Sequence, residues 1–315
     1  MTSPTALPGL LAVHAHPDDE TLSSGALLAT WARAGGEVTV VTCTRGERGE
    51  VIGPDPDGLE GDGPRLAAHR ETELARALGS LGVRDHVFLD QVPAPDDDGA
   101  SDDDGAPARY EDSGMAWVAG SSGTARLGAD VPPGAFVRVP LDEAAARLAT
   151  VLTDRRPGVV VTYEAGGGYG HPDHVRAHEV TVRAIELAGL DVALWHPSAT
   201  SDDVAAATAA LEDDWAQAAG LPVGPTEPAP SYVSDDRPVV VRVPVEPVAD
   251  AVLGALRAHR TQVQAVTRAP HGSDVVGCYA LSNDLLAPLR AHETYTASDQ
   301  RGIVVPPRVQ VAWPR

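Results

Sequence analysis

Between Gly9 and Trp195, short apolar runs alternate with helix-like stretches, and this alternation limits the folds open to the chain more than any other feature. Residues 9–13 read as a short buried strand, and residues 21–33 have the spacing of an amphipathic helix ended by Gly35-Gly36. A valine-rich strand follows over 37–43, then a helix over 65–81 with Gly82 beyond its end, then a strand over 86–89. The rhythm resumes with a helix over 142–153, a buried strand over 158–162, a helix over 171–187 and a strand over 192–195. It predicts an α/β fold: a doubly wound, mostly parallel, Rossmann-like sheet with helices on both faces. Sheets of this kind take ligands outside the carboxyl ends of their strands.

After Ser198 the pattern loosens into a helix over 204–219, a proline-rich stretch, a strand over 239–243 and a helix over 247–264. We therefore expect a catalytic core over 1–197 and a smaller C-terminal α+β region over 198–315 that completes the substrate pocket. Residues 93–109 interrupt the core with two aspartate triplets among glycine, alanine and proline. They lack the glycine turn and distal glutamate of a calcium loop, so they read as a solvated surface insertion.

Composition removes whole classes of function. With 24 basic against 45 acidic residues the formal net charge is −21, which argues against nucleic acid or an anionic membrane as partner. The sequence contains no lysine, so Schiff-base chemistry, phosphate-loop NTPases and kinases are excluded. Cys43 and Cys278 are too few for a disulfide framework or a four-cysteine metal site. No basic residue precedes Arg33, and no apolar run approaches the about 20 residues of a membrane span, so a cytoplasmic location is expected.

Two motifs carry chemistry. His16-Pro17-Asp18-Asp19-Glu20 follows the first strand directly, at a strand-to-helix turn that Pro17 stiffens. Gly166-Gly167-Gly168-Tyr169-Gly170-His171-Pro172-Asp173-His174 lies at another such turn. Taken singly, each aspartate could be only a helix cap. Taken together, two histidine-proline-aspartate runs at neighbouring strand ends bring His16, Asp19 and His174 to one place. Two histidines and one carboxylate leave a coordination position open for water, the ligand count of a catalytic zinc site. His174 and His178 lie four apart on a helix, a rival pair, but Val175 stands where a zincin would carry its glutamate. His178 is read as a supporting or packing residue, and His14 as buried and structural.

These motifs resemble the two signatures of the LmbE-like (PIG-L) deacetylases, metal-dependent hydrolases of N-acylated sugar amines. The segments Val41-Thr42-Cys43-Thr44, Gly49-Glu50-Val51-Ile52-Gly53, Asp112-Ser113-Gly114-Met115, Ala258-His259-Arg260-Thr261-Gln262-Val263 and Ala280-Leu281-Ser282-Asn283 narrow the resemblance. They are similar to the branch of the family that deacetylates N-acetylglucosaminyl-inositol in mycothiol biosynthesis, and the arginine-only, alanine-rich composition suits an actinobacterium. The aspartate-rich insertion departs from the family pattern between Leu89 and Tyr110.

The resemblance implies a zinc-dependent amidohydrolase acting on a linear amide, with one divalent metal per chain. Zinc comes first, and ferrous iron suits the same ligands. It assigns Asp18 as general base, His171 as the group that stabilises the tetrahedral oxyanion and Asp173 as the residue that orients His171. Tyr169, beside glycines, becomes a mobile hydroxyl for the substrate carbonyl, although it also reads as a packing aromatic. Arg70 and Asp112 match positions that hold sugar or inositol hydroxyls, with Glu50 assisting; by its sequence context Arg70 is an ordinary helix-surface arginine. His259 and Gln262 are expected to line the pocket. The implied partner is a neutral pseudodisaccharide, and nothing in the sequence indicates an oligomeric state. Mycothiol S-conjugate amidase activity and deacetylation of another N-acyl sugar are the rival chemistries. A dinucleotide-binding module lacks its glycine fingerprint here, and a non-catalytic sugar-binding protein would have no use for Asp18.

Overall fold

The computed structural model describes residues 7–55, 58–93, 109–118, 124–226 and 230–298. The expected insertion at 93–109 falls, except for its two end residues, outside them. The strands are β1 (Leu10–His14), β2 (Val38–Thr42), β3 (Asp85–Phe88), β4 (Met115–Trp117), β5 (Ala125–Leu127), β6 (Val159–Val161), β7 (Ala193–Ser198), β8 (Val241–Pro244), β9 (Gln264–Arg268), β10 (Val275–Ala280), β11 (Leu286–Arg290) and β12 (His292–Ser298). The helices are α1 (Asp19–Arg33), α2 (Gly63–Leu81), α3 (Leu141–Arg155), α4 (Gly167–Gly170), α5 (Pro172–Ala188), α6 (Ser201–Ala209), α7 (Asp214–Gln217) and α8 (Ala249–Ala258).

Seven strands form one sheet in the order β3-β2-β1-β6-β7-β12-β8. The first five are parallel, and β12 runs antiparallel to both β7 and β8. Side chains alternate across this sheet and feed two cores. Leu10, Ala12, Val38, Val40, Val159 and Val161 pack with α1, α2 and α8, while Leu11, Val13, Val41 and Val160 pack with α3 and α5. Strands buried on both faces read as continuous apolar runs, which is why they stood out in the sequence. The expected doubly wound, mostly parallel sheet is the one observed.

Helix ends follow local chemistry. Asp62 caps α2 by accepting the Arg65 N–H, Pro64 stands in its first turn, and Gly82 closes it in the left-handed conformation. Helix α5 starts on Pro172 and ends on left-handed Gly189.

The C-terminal half departs from expectation. The helix expected over 247–264 is α8, which ends at Ala258; His259 leaves helical geometry with ψ 56° and is drawn into the core. Residues from Gln264 then pair as β9 in an antiparallel sheet ordered β11-β10-β9. The helix expected over 204–219 is split into α6 and α7 by a short 3-10 turn at Ala210–Glu212. The two helices and the turn between them pack through Ala207, Leu211 and Ala216 on Cys278, Ala280 and Leu286 of the small sheet. Among the described residues no helix is long and apolar enough to cross a membrane.

Candidate metal centre and active site

The two histidine-bearing turns leave adjacent strands. β1 runs into the turn that carries His16, and β6 leads through α4 to α5, which carries His174. Because β1 and β6 flank the point where strand order reverses, both turns open into one crevice at the carboxyl end of the sheet.

His16, Asp19 and His174 are buried and meet there. His16 Nδ1 lies 3.3 Å from Asp19 Oδ2, and His174 Nε2 lies 3.3 Å from the same oxygen. The remaining ring nitrogens face acceptors: His16 Nε2 is 3.2 Å from Asp173 Oδ2, and His174 Nδ1 is 3.1 Å from the Gly167 carbonyl. A carbonyl only accepts, so the His174 proton sits on Nδ1 and Nε2 presents a bare lone pair. That atom is buried and has no hydrogen-bond partner. Imidazole nitrogens gathered on one carboxylate oxygen, with acceptors fixing each ring from behind, fit a divalent cation bound through nitrogen and oxygen. His171 joins the cluster, with nitrogens of His16, His171 and His174 all within 4.8 Å of one another, and atoms of His16, Asp112 and Asp173 are equally close.

Asp18 occupies the cap position of α1, but its side chain makes no cap hydrogen bond. Its φ of 102° is unusual for a residue with a Cβ, a conformation that costs about 1–3 kcal/mol and persists only where its surroundings impose it. Burial pushes the Asp18 carboxyl up to about 7, against the pull of the Arg70 guanidinium. Arg70 is not a surface residue. It is 3% exposed, its Nη2 lies 3.3 Å from Asp18 Oδ2 and donates to the Pro17 carbonyl, and its Nη1 donates to the Gly46 carbonyl at 2.5 Å. Gly46 has φ +63°, and a Cβ there would fall 1.9 Å from Arg70 Nη1, so only glycine leaves room for the guanidinium.

His171 caps α5, its Nδ1 accepting the Asp173 N–H at 3.1 Å, which leaves its own proton on Nε2. Burial, then the neighbouring His16 and His174, hold its pKa well below the usual histidine range. It is therefore a neutral N–H donor. Asp173 holds the His171 ring through its backbone N–H, and its charge acts on that ring against the effect of burial. Its carboxylate turns to His16 Nε2, the Ser113 N–H at 2.9 Å and the Ser113 hydroxyl at 2.5 Å. Tyr169 sits with its ring 5.1 Å from His174 and 6.0 Å from His171. Burial and the nearby aspartates hold its phenol well above the usual range, so it stays a donor.

Asp112 reaches the cluster, with Oδ1 3.7 Å from His16 Nε2. Glu50 is exposed, and its tie to the site is through its carbonyl, which accepts from Gln262 Nε2. The carboxylate of that loop which turns inward is Glu47, accepting the Asp112 N–H at 3.0 Å. Both glutamates sit in one polar run, and nothing local in the sequence separates them. His259 does not line the pocket; it is fully buried against Glu20. His14 is buried on Ser24, and His178 binds the Tyr163 carbonyl.

Three further residues escaped the sequence reading. Tyr163 stacks on His174 at 4.1 Å and accepts the Ala15 N–H at 3.0 Å, so it supports both turns. Ser113 holds Asp173, and Glu20 accepts the Asp18 N–H at 2.9 Å. Tyr163 alone left a trace, as an aromatic just beyond a buried strand.

Residues 11–185 match the PIG-L family, described as GlcNAc-PI de-N-acetylase. A 1D-myo-inositol 2-acetamido-2-deoxy-alpha-D-glucopyranoside deacetylase of Kineococcus radiotolerans is 42% identical, over 91% of this chain and 76% of its own. Proteins of the same name from Actinosynnema mirum and Streptomyces avermitilis are 39% and 41% identical; the alignments cover 92% and 91% of this chain and 92% and 90% of theirs. Both turns that carry the candidate donors lie inside the family match, and the likeness to these relatives runs well past it toward the C-terminus: the chain belongs to the PIG-L family.

Proposed function

We propose that the chain hydrolyses the N-acetyl group of 1D-myo-inositol 2-acetamido-2-deoxy-alpha-D-glucopyranoside, releasing acetate and the free amine, in the cytoplasmic synthesis of mycothiol. The observation that carries the chemistry is the convergence of His16, Asp19 and His174 beside an Asp18 carboxyl that no cap occupies. The names of its relatives support the substrate.

An amide is a poor electrophile, so its hydrolysis needs an activated water and a stabilised oxyanion. A divalent ion, zinc first and ferrous iron with the same ligands, would be held by His16, Asp19 and His174 and would supply Lewis acidity and a more acidic water. Asp18 takes the proton of the attacking water and returns it to the leaving amine, a task suited to a carboxyl near neutrality. Arg70 keeps that carboxyl oriented and ionisable rather than contacting sugar. His171 donates its Nε2–H to the oxygen that gains charge, and Tyr169 donates from the other side. Asp173 fixes the His16 ring. Asp112, with Glu50 at the exposed rim, is assigned to substrate hydroxyls.

The test is an amine-release assay with N-acetylglucosaminyl-inositol and a mycothiol S-conjugate, with and without chelator. Chelator-sensitive release from the first compound and little from the second is expected. The reverse preference would overturn the substrate assignment.

A further inference from the structure

We propose that Glu20 and His259 are positioning residues for the reaction: a fully buried pair that holds the Asp18 backbone so that its carboxylate is free for proton transfer. This rests on the reading of Asp18 as proton acceptor given above.

Asp18 stands where an aspartate ordinarily folds its side chain back onto the first turn of a helix. Here it does not, and its backbone sits at φ 102°. The group that holds this turn is Glu20. Its Oε2 accepts the Asp18 N–H at 2.9 Å, and its Oε1 accepts from Thr21 Oγ1 at 2.5 Å. Glu20 and His259 are both 0% exposed. A carboxylate buried so completely must be matched by a donor. His259 Nε2 lies 2.8 Å from Glu20 Oε1, while its other ring nitrogen has no partner. The histidine is thus directed at this one carboxylate.

The segment that delivers His259 is pinned on both sides. Thr261 donates its N–H and its hydroxyl to Glu73 of α2, at 2.9 and 2.7 Å. Its carbonyl accepts the Ile52 N–H at 2.9 Å, and Gln262 reaches the Glu50 carbonyl at 3.0 Å. A stretch with no chemistry of its own therefore links α2, the loop after β2 and the start of α1. Its contact with the reacting groups runs through Glu20 to the Asp18 backbone. With Asp18 fixed from behind, its side chain is left to Arg70 and the cluster.

The experiment uses the zinc-loaded protein and N-acetylglucosaminyl-inositol. His259→Leu and Glu20→Gln should each lower kcat by about 10- to 100-fold, the scale of a small misplacement of a catalytic group, with KM and bound metal per chain unchanged. His259→Gln, which keeps an N–H near the Nε2 position, should recover most of the rate. In an Asp18→Asn background the same changes should cost nothing further, because they act through that residue. Wild-type kcat in His259→Leu would overturn the proposal, as would an equal loss in the Asp18→Asn background or a loss carried by KM or metal content. If the leucine variant does not fold, isosteric Glu20→Gln decides between the same outcomes. Full activity in Asp18→Asn alone would instead remove the base assignment, whatever happens at His259.

Discussion

The carboxylate of Glu293 on β12 caps a helix that begins far back in the chain, accepting the N–H of Ala26 at 2.6 Å and that of Leu27 at 2.8 Å. Helix α1 is broken at Ser24, whose φ of −146° is not helical, so these donors lack partners in the preceding turn. Ser24 is bent because its hydroxyl meets His14 Nε2 at 3.0 Å and the Glu20 carbonyl at 3.1 Å. The last strand of the sheet thus closes the helix whose first residue is Asp19.

Glu293→Ala removes the acceptor of both N–H groups and leaves the Tyr295 hydroxyl only its longer contact to the Ser23 carbonyl. Burial raises the Glu293 pKa to about 7, so the loss is that of leaving buried donors unsatisfied, and stability should fall by about 1–3 kcal/mol. A urea unfolding curve checks this, with bound metal per chain unchanged in the folded fraction.

Removing a ring support should weaken the metal without removing a ligand. Asp173→Asn replaces a carboxylate that meets His16 Nε2 and both donors of Ser113. Affinity for the divalent ion should drop by about 10- to 100-fold, as for other changes behind a ligating histidine. His174→Ala should abolish binding. Competition with a chromophoric chelator measures both, and an unchanged affinity in His174→Ala would remove that residue from the donor set.

The acid side of the pH–rate profile should report Asp18. Burial raises its pKa to about 7, and Arg70 opposes the rise. Removing Arg70 therefore raises the pKa further, and the base stays protonated to higher pH. Arg70→Gln should move the acid limb of kcat/KM upward, and Gly46→Ala should do the same by displacing the guanidinium that its Cβ would strike. A limb that stays in place in both variants would detach Asp18 from the profile.

The convergence of His16 and His174 was legible because the turns that carry them each follow a buried apolar run, which in a chain alternating such runs with helices reads as a central parallel strand. Adjacency of β1 and β6 then brought the turns together. What stayed hidden depends on contacts between segments far apart. Ser113 reaches Asp173 across 60 residues and Glu293 reaches Ala26 across 267, and neither leaves a periodic trace. Arg70 looked like a surface residue because an arginine on an amphipathic helix usually is one; its burial depends on the cradle at Gly46. The helix was read past Ala258 because apolar spacing continues through Val263, whereas the buried pair of His259 with Glu20 ends it. Strands β9 to β11 are irregular, with register shifts in both pairings of β10, and their alternation is correspondingly weak.

Three histidines make the fold sensitive to mild acid. Burial lowers the pKa values of His14, His86 and His196 to about 4. The unfolded chain takes up their protons near 6.5, whereas the folded chain resists until about 4, so between these values the unfolded state binds more protons. The stability they confer is complete above 6.5 and is lost as pH falls through that window. At His196 burial favours the neutral form and neighbouring His178 adds to it, against the pull of the Thr162 and Tyr163 carbonyls that its Nδ1 faces at 3.1 and 2.9 Å; its Nε2 lies 2.7 Å from the Ser298 hydroxyl. His196→Gln should lower stability at pH 7.5 and flatten its decline between pH 6.5 and 4. Urea midpoints measured across that range check the slope, and an unaltered slope would show that His196 titrates alike in the folded and unfolded chain.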